Sequence, residues 1–536
     1  MEKLHHSIRV PYNLLVIGLL TFTFLILVLI LIFYSFIFYI NKIDFIGFFN
    51  IENIFDVFYF TFWQSLLTAF FSICLSIIVV KSLSYDNFFT KFLILLLSTV
   101  SVLPTVIVVF GILNVYGRNG LVSKILNFFG IEYKYTIYGV HGVIFTNIFL
   151  NIPLAIHSFH NSLNEISIEQ KKIMVLLNMT KWKQFKFIEW TYIKRQIPIT
   201  FSLIFISCFT NFTVPLIIGG GPSSTTIEIS IYQSLNYEFN FSKTAILSVI
   251  HITCCFVIIL MNKKSIDHNV LLSRSYLFEK DKNYYLWNKF ESLDKIKHFF
   301  IILFFLPPIL SIILEVEYKN LFCLLKNKIF LISLVNSCYI STISGIFCIF
   351  FSILVLRSNI ELRFYNFKKL YILIDLISLL ISTIPSLVFS ISIFFICSIF
   401  DFFNFFPNFA FIISNMFTCF PYAIKMLKNP MNEISSQYRF LCLSLNISEI
   451  KKFFLIEIKV LKYLIIETFI FSFLLSIGNF GAISILKHGK QTLLHYLYNQ
   501  LNTYHDDNAS GTIFIIFTLY LFLFVLLNYL KKLRND

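Results

Sequence analysis

Runs of about twenty or more apolar residues recur along nearly the whole chain, and they narrow its possible folds more than any other feature. Inside a hydrocarbon core no water satisfies backbone N–H and C=O groups, so a run of that length crosses the membrane as an α-helix. Of the 536 residues, 57% are hydrophobic and 13% charged, as fits a chain that lives mostly in lipid. The runs place spans near 13–40, 57–80, 92–116, 138–158, 199–219 and 243–261, then near 298–314, 330–356, 370–398, 408–426, 464–486 and 513–530. The expected fold is an all-α polytopic membrane protein of about twelve transmembrane helices. The first run, from Leu14 to Ile40, is too long for a signal-peptide core and lacks a small-residue cleavage site, so it reads as an uncleaved anchor.

The tetrapeptide Asn-Glu-Ile-Ser occurs at Asn164–Ser167 and again at Asn432–Ser435. Laid without a gap on 432–463, the window 164–195 matches at 11 of 32 positions, including Leu177/Leu445, Asn178/Asn446, Phe185/Phe453, Ile188/Ile456 and Glu189/Glu457. The register holds beyond the window at Pro153/Pro421, Ala155/Ala423, Asn211/Asn479 and Phe212/Phe480. The chain therefore reads as a tandem duplication: a first repeat over 1–261, a charged cytoplasmic linker over 262–297 and a second repeat over 298–536, each with six helices.

Loop by loop, 33 of the 43 Lys and Arg residues fall on one side of these spans, which places both termini and the long polar loops in the cytoplasm. The net charge of +15 is thus a matter of topology, with anionic lipid headgroups as its partner and no nucleic acid implied. Ten cysteines without a C-x-x-C read as packing residues. His141, His157, His160 and His251 have no carboxylate at ligand spacing, so neither a metal site nor a cofactor is expected. Asp375, about two turns from Lys368 and Lys369, reads as an acid that snorkels to the cytoplasmic interface.

One cytoplasmic loop per repeat, at 164–195 and 432–463, carries the duplicated residues. Ser167 and Gln170 fit a capping box, and Asn178 stands where a left-handed residue would end the helix that follows. Thr180 could cap a second short helix through Trp182, Phe185 and Ile188; the second copy repeats the plan with Ser435 or Ser436, Asn446 and Ser448. Basic residues alone would only orient the spans, but the paired Phe185/Phe453, Ile188/Ile456 and Glu189/Glu457 ask for more. Two equivalent helix-turn-helix loops make a docking surface for a two-fold symmetric partner. Asn211-Phe212 and Asn479-Phe480, buried amides at matching places in the fifth spans, are the candidates for a pathway between the halves.

With Asn178 and Asn446 at the glycine place and Ile188 and Ile456 at the isoleucine place, each loop resembles the EAA loop of permease subunits of binding-protein-dependent ABC importers. Lys172 and Phe440 depart from the pattern's glutamate, and Thr191 and Lys459 from its proline. Stretches such as Phe110–Gly120, Gly219–Pro222, Thr225–Glu228, Pro421–Lys425 and Leu475–Gly481 are similar to the double-length permeases of thiamine importers. The resemblance implies ATP-driven import of thiamine and its phosphates, two copies of a separate ATP-binding subunit, a periplasmic thiamine-binding protein and residence in a bacterial inner membrane. It implies a coupling role for Glu165, Asn178, Phe185, Ile188, Glu189, Glu433, Asn446, Phe453, Ile456 and Glu457. On that reading Phe212 and Phe480 could stack on a cationic heterocycle. No G-x-x-x-x-G-K-[ST] occurs, so the chain is expected to be a transport subunit and no enzyme.

Two alternatives stay open. A ferric-iron importer permease has a similar build, and an ion-coupled secondary transporter can also be made of two six-helix repeats. The latter would need midplane acids, which are nearly absent, and a signature between the second and third spans, where Lys81–Lys91 is short and without glycine.

Overall fold

The computed structural model describes residues 12–40, 53–84, 87–131, 136–272, 292–316, 318–400, 407–445, 447, 449–486, 491–503 and 506–535. In the first half the helices are α1 (Tyr12–Ile40), α2 (Asn53–Val80), α3 (Phe88–Val102), α4 (Thr105–Tyr116), α5 (Leu121–Phe128), α6 (Val140–Asn164), α7 (Ile168–Leu176), α8 (Lys181–Gln184), α9 (Trp190–Phe209), α10 (Thr213–Ile218), α11 (Ile227–Asn236) and α12 (Phe241–Leu272). The second half continues with α13 (Ser292–Leu314), α14 (Tyr318–Lys326), α15 (Lys328–Phe364), α16 (Lys368–Thr383), α17 (Ser386–Ile399), α18 (Pro407–Ser444), α19 (Glu449–Lys452), α20 (Ile458–Ile477), α21 (Phe480–Ile485), α22 (Leu493–Asn502) and α23 (Asp506–Asn535). The middle of the expected linker, 273–291, lies outside the described residues, as do Asn446 and Ser448.

Among the described residues ten helices are long and apolar enough to cross a membrane, or eleven if α16 and α17, bent by 95°, form one span. The exact count of twelve is not confirmed among these residues. Lys194, Arg195 and Gln196 in the first turns of α9 make it too polar to qualify. The third span of each repeat is broken at an X-Pro step, Leu103-Pro104 and Ile384-Pro385. Both preceding residues are extended, as the proline ring requires.

The chain forms two compact units, one of Ile43–Leu324 with Tyr504–Thr518, the other of Met1–Lys42, Leu325–Thr503 and Leu519–Asp536. These differ from the sequence repeats in one telling way. The first helix of each repeat packs with the helices of the other: α1 lies on α15 and α17, and α13 lies on α3 and α4. Aromatic contacts hold both exchanges. Phe24 stacks on Phe351 at 5.4 Å and Tyr39 Oη meets Ser398 Oγ at 2.9 Å, while Phe305 lies 4.8 Å from Phe149. Gly111 on α4 admits α13 closely, since a Cβ there would lie 2.5 Å from the Pro308 carbonyl oxygen. Ser311 Oγ donates to the Gly111 carbonyl from the same face.

Within the units the cores are aliphatic. Val109, Val143, Val214 and Ile218 join α4, α6 and α10 in one. Leu356, Leu427, Met431, Ile434, Leu461 and Leu464 join α15, α18 and α20 in the other.

Candidate functional site

The first loop begins as its sequence predicts. Ser167 Oγ accepts the Gln170 N–H at 3.3 Å, satisfying an orphan donor at the start of α7. Asn178 has φ +47°, and the Met179 N–H reaches back to the Met174 carbonyl at 3.1 Å, the six-to-one bond of a left-handed helix end. The second loop makes the same bond at the equivalent place, from Ile447 N–H to Cys442 O at 3.0 Å. Its start departs from expectation: α18 runs unbroken from the membrane to Ser444, so neither Ser435 nor Ser436 caps a helix. Ser436 Oγ instead donates to the Glu433 carbonyl one turn back, which a mid-helix serine can do without breaking the helix.

The expected second short helix is no separate element in either loop. α8 and α19 each pass through a five-residue π turn, Phe185–Glu189 and Phe453–Glu457, directly into α9 and α20. A π turn inserts one residue without a break and is common where a helix carries function. In both repeats it turns a glutamate inward. Glu189 pairs with Lys81 at 3.0 Å and Glu457 pairs with Arg357, the first cation just past the end of α2 and the second about two turns before the end of α15. Phe185 is half-buried beside Trp182, with Lys81 Nζ 6.0 Å from its ring centroid, and Phe453 is half-buried against Phe454. Ile188 and Ile456 are half-buried as well. Burial pushes the half-buried Glu165 carboxyl up, with Arg195 pulling it back, whereas Glu433 is exposed.

What the loops leave open is apolar. Ile173, Leu177 and Phe187 are 48%, 62% and 62% exposed, and their counterparts Leu441, Leu445 and Leu455 are 51%, 62% and 54% exposed. Only Leu177/Leu445 is an identity, so a search for identical residues overlooks the other two pairs. Their signal was shared apolar character at matching positions.

The fifth spans break at the asparagines. Asn211 Nδ2 donates to Asn147 Oδ1 at 2.8 Å while its own Oδ1 accepts the Val214 N–H at 3.3 Å. Asn479 does the same with Asn415 at 2.9 Å and the Ala482 N–H at 3.3 Å. Each amide thus starts a short helix and ties it to the fourth span of its own repeat. Phe212 and Phe480 are buried, packed on Tyr232 at 5.2 Å and on Tyr498 at 5.7 Å.

A family model described as binding-protein-dependent transport system inner membrane component matches residues 349–533. The chain is 30% identical over 484 residues to the thiamine transport system permease protein ThiP of Escherichia coli K12, covering 89% of each. To the protein of that name from Haemophilus influenzae it is 32% identical over 469 residues, 86% of each, and to that of Brucella abortus (strain 2308) 26% identical over 487 residues, 89% of this chain and 88% of the relative. The chain belongs to the binding-protein-dependent transport permeases. It is a transport subunit rather than an enzyme, a multi-pass protein of the inner membrane, and membership implies an ATP-binding subunit and a substrate-binding protein as partners in general.

The buried Glu228 and the half-buried Asp375 have polar neighbours on other helices that local spacing hid. His251 Nδ1 lies 3.9 Å from Glu228 Oε1, both fully buried, although they sit on different helices, α12 and α11. Asp375 does not snorkel freely: Arg363 and Lys428 both pair with it, and Asn359 donates to it at 3.3 Å. Among the described residues no three of His, Cys, Asp or Glu are placed to hold a metal.

Proposed function

We propose that this permease imports thiamine, with two copies of a separate ATP-binding subunit docked on the loops at 164–195 and 432–463. A periplasmic thiamine-binding protein delivers the substrate from the other side. The substrate reading is supported by relatives that are named thiamine transport permeases and are covered nearly end to end. The docking reading rests on one observation: in a single constant register both loops share a helix end, a π turn and three exposed apolar side chains.

The residues divide into two tasks. The exposed Ile173, Leu177 and Phe187 and their counterparts meet the partner, while Glu189 and Glu457 hold each loop on the membrane helices. Glu165, Asn178, Phe185, Ile188, Glu433, Asn446, Phe453 and Ile456 shape the loops between. Taking an inward-open state from 1:99 to 99:1 outward-open needs about 5.5 kcal/mol of differential binding, which closure of an ATP-bound dimer across both loops supplies. Asn211, Phe212, Asn479 and Phe480 mark the proposed pathway, because irregular backbone at membrane depth is tolerated where it lines a cavity. The charge asymmetry of the loops keeps both termini cytoplasmic.

The test is uptake by the complete complex in vesicles, with labelled thiamine and ferric iron supplied side by side. Thiamine uptake that requires ATP and the binding protein supports the reading. Iron uptake without thiamine uptake, or uptake driven by a proton gradient without ATP, overturns it.

A further inference from the structure

The two coupling loops are built alike but anchored differently. Helices α2 and α15 align in the register where Ser65/Ser341, Ser76/Ser352, Val79/Val355 and Ser82/Ser358 coincide. Matching bonds support this register: Thr61 Oγ1 accepts the Ile227 N–H at 3.0 Å and Ser337 Oγ accepts the Leu493 N–H at 2.6 Å. Lys81 therefore aligns with Arg357, and in sequence Tyr85, outside the described residues, aligns with Glu361. In the loops, Lys171 and Gln184 occupy the places of Arg439 and Lys452.

Around the second π turn these four replacements make a network out of reach of water. Arg357 reaches Glu457 with one nitrogen and Glu361 with the other at 2.9 Å. Arg439 takes the second oxygen of Glu361 at 2.9 Å and lies with its guanidinium carbon 3.1 Å from the Phe364 ring centroid. Lys452 Nζ is 3.7 Å from Glu457. Side-chain exposure runs from 1% to 7% across Arg357, Glu361, Arg439, Lys452 and Glu457, against 20% and 12% for Lys81 and Glu189 in the first loop. There Gln184 donates to a loop carbonyl, that of Met179, at 2.9 Å.

Burying charges costs desolvation that their attraction barely offsets, so such a network contributes little net stability. What it does contribute is geometry, since a planar guanidinium engaged on two sides has few ways to move. Glu361 is the hub: it engages one arginine from α15 and one from α18, and through Arg357 it fixes the π turn that leads into α20.

We propose that Glu361 is a positioning residue that makes the second coupling loop a stiff lever, while the first loop, held at the half-open Lys81–Glu189 pair, is compliant. The two ATP-binding subunits would then drive the permease unequally, and the second loop sets how many nucleotides are spent per substrate. The unequal drive rests on the docking reading above; the stiffness does not.

The stiffness is read by hydrogen exchange of the permease in nanodiscs. Met179 and Ile447 make the same helix-end bond at 3.1 and 3.0 Å, so a difference between their amides reports anchoring and not capping. The Ile447 amide should exchange at least about tenfold more slowly than that of Met179. Arg439→Lys with Lys452→Gln, which installs the first loop's residues, should remove that gap and raise the ATP hydrolysed per thiamine imported by the complete complex. Glu361→Gln should do the same more strongly, and the Lys/Gln variant keeps the test sound should Glu361→Gln fail to assemble. Equal exchange in the two loops of the unaltered protein overturns the stiffness. A lost gap with an unchanged ATP-to-thiamine ratio overturns the lever. Absence of any thiamine uptake by the unaltered complex would instead count against the functional reading and leave the exchange result standing.

Discussion

Asn211 donates its side-chain amide to Asn147 at 2.8 Å, and the duplicate of this pair, Asn479 on Asn415, repeats the bond at 2.9 Å. Each asparagine closes the break in a fifth span by capping the short helix beyond it. The same two residues are candidates for lining the pathway, and the two roles predict different losses. Replacing Asn211 with Leu removes a bond worth about 0.6–2 kcal/mol in a membrane and a cap worth about 1 kcal/mol. The variant should therefore melt earlier in detergent, and Asn147→Leu should add less than its own single effect. If uptake falls in proportion to folded protein only, the amide is a brace; a larger fall in uptake places it on the route.

The exposed loop triads make a cleaner test of docking. Leu177→Glu and Leu445→Glu change side chains that are each 62% exposed, so stability should move by no more than about 0.5 kcal/mol. Binding of the ATP-binding subunit, measured by co-purification, should drop for each single variant and vanish for the double. Normal binding of the double variant would show that the partner docks elsewhere.

Much of this architecture is written in the sequence at short range. The left-handed Asn178 and the capping Ser167 were readable because local backbone chemistry decides them. Where distant residues decide, the sequence was silent. Nothing near α1 or α13 announces that each packs with the other repeat, since lipid and protein interior are equally apolar to a run of Leu, Ile and Phe. The unbroken α18 was missed because serine caps some helices and passes quietly through others. Glu228 and His251 were missed because tertiary folding, not spacing along a helix, brings them together.

Gly111 offers a test of the exchanged packing. A methyl group there would meet the Pro308 carbonyl oxygen at 2.5 Å, and α13 cannot yield without moving backbone. Gly111→Ala should cost about 1–3 kcal/mol through overpacking, seen as earlier melting in detergent. An unchanged melting curve would mean that α13 does not lie on α4 in the membrane.

The Glu228–His251 pair lies in the first repeat alone. The caps Thr226 and Thr492 and the aromatic contacts of Tyr232 and Tyr498 set the register here, and Leu494 then stands in the place of Glu228. The second repeat thus folds its equivalent turn with no acid. Removing the imidazole by His251→Leu takes from a fully buried carboxyl the polar neighbour 3.9 Å away; no hydrogen bond is lost at that distance, but the carboxyl is left among apolar groups and the variant should melt earlier. Adding Glu228→Leu replaces both polar groups with apolar ones, the solution the second repeat already uses, and should restore stability to near the starting value. The measurement is detergent melting of the two single variants and the double, with uptake followed alongside. A double variant that melts normally but no longer transports would give the pair a part in import; one that also transports normally would make it a structural relic of the first repeat.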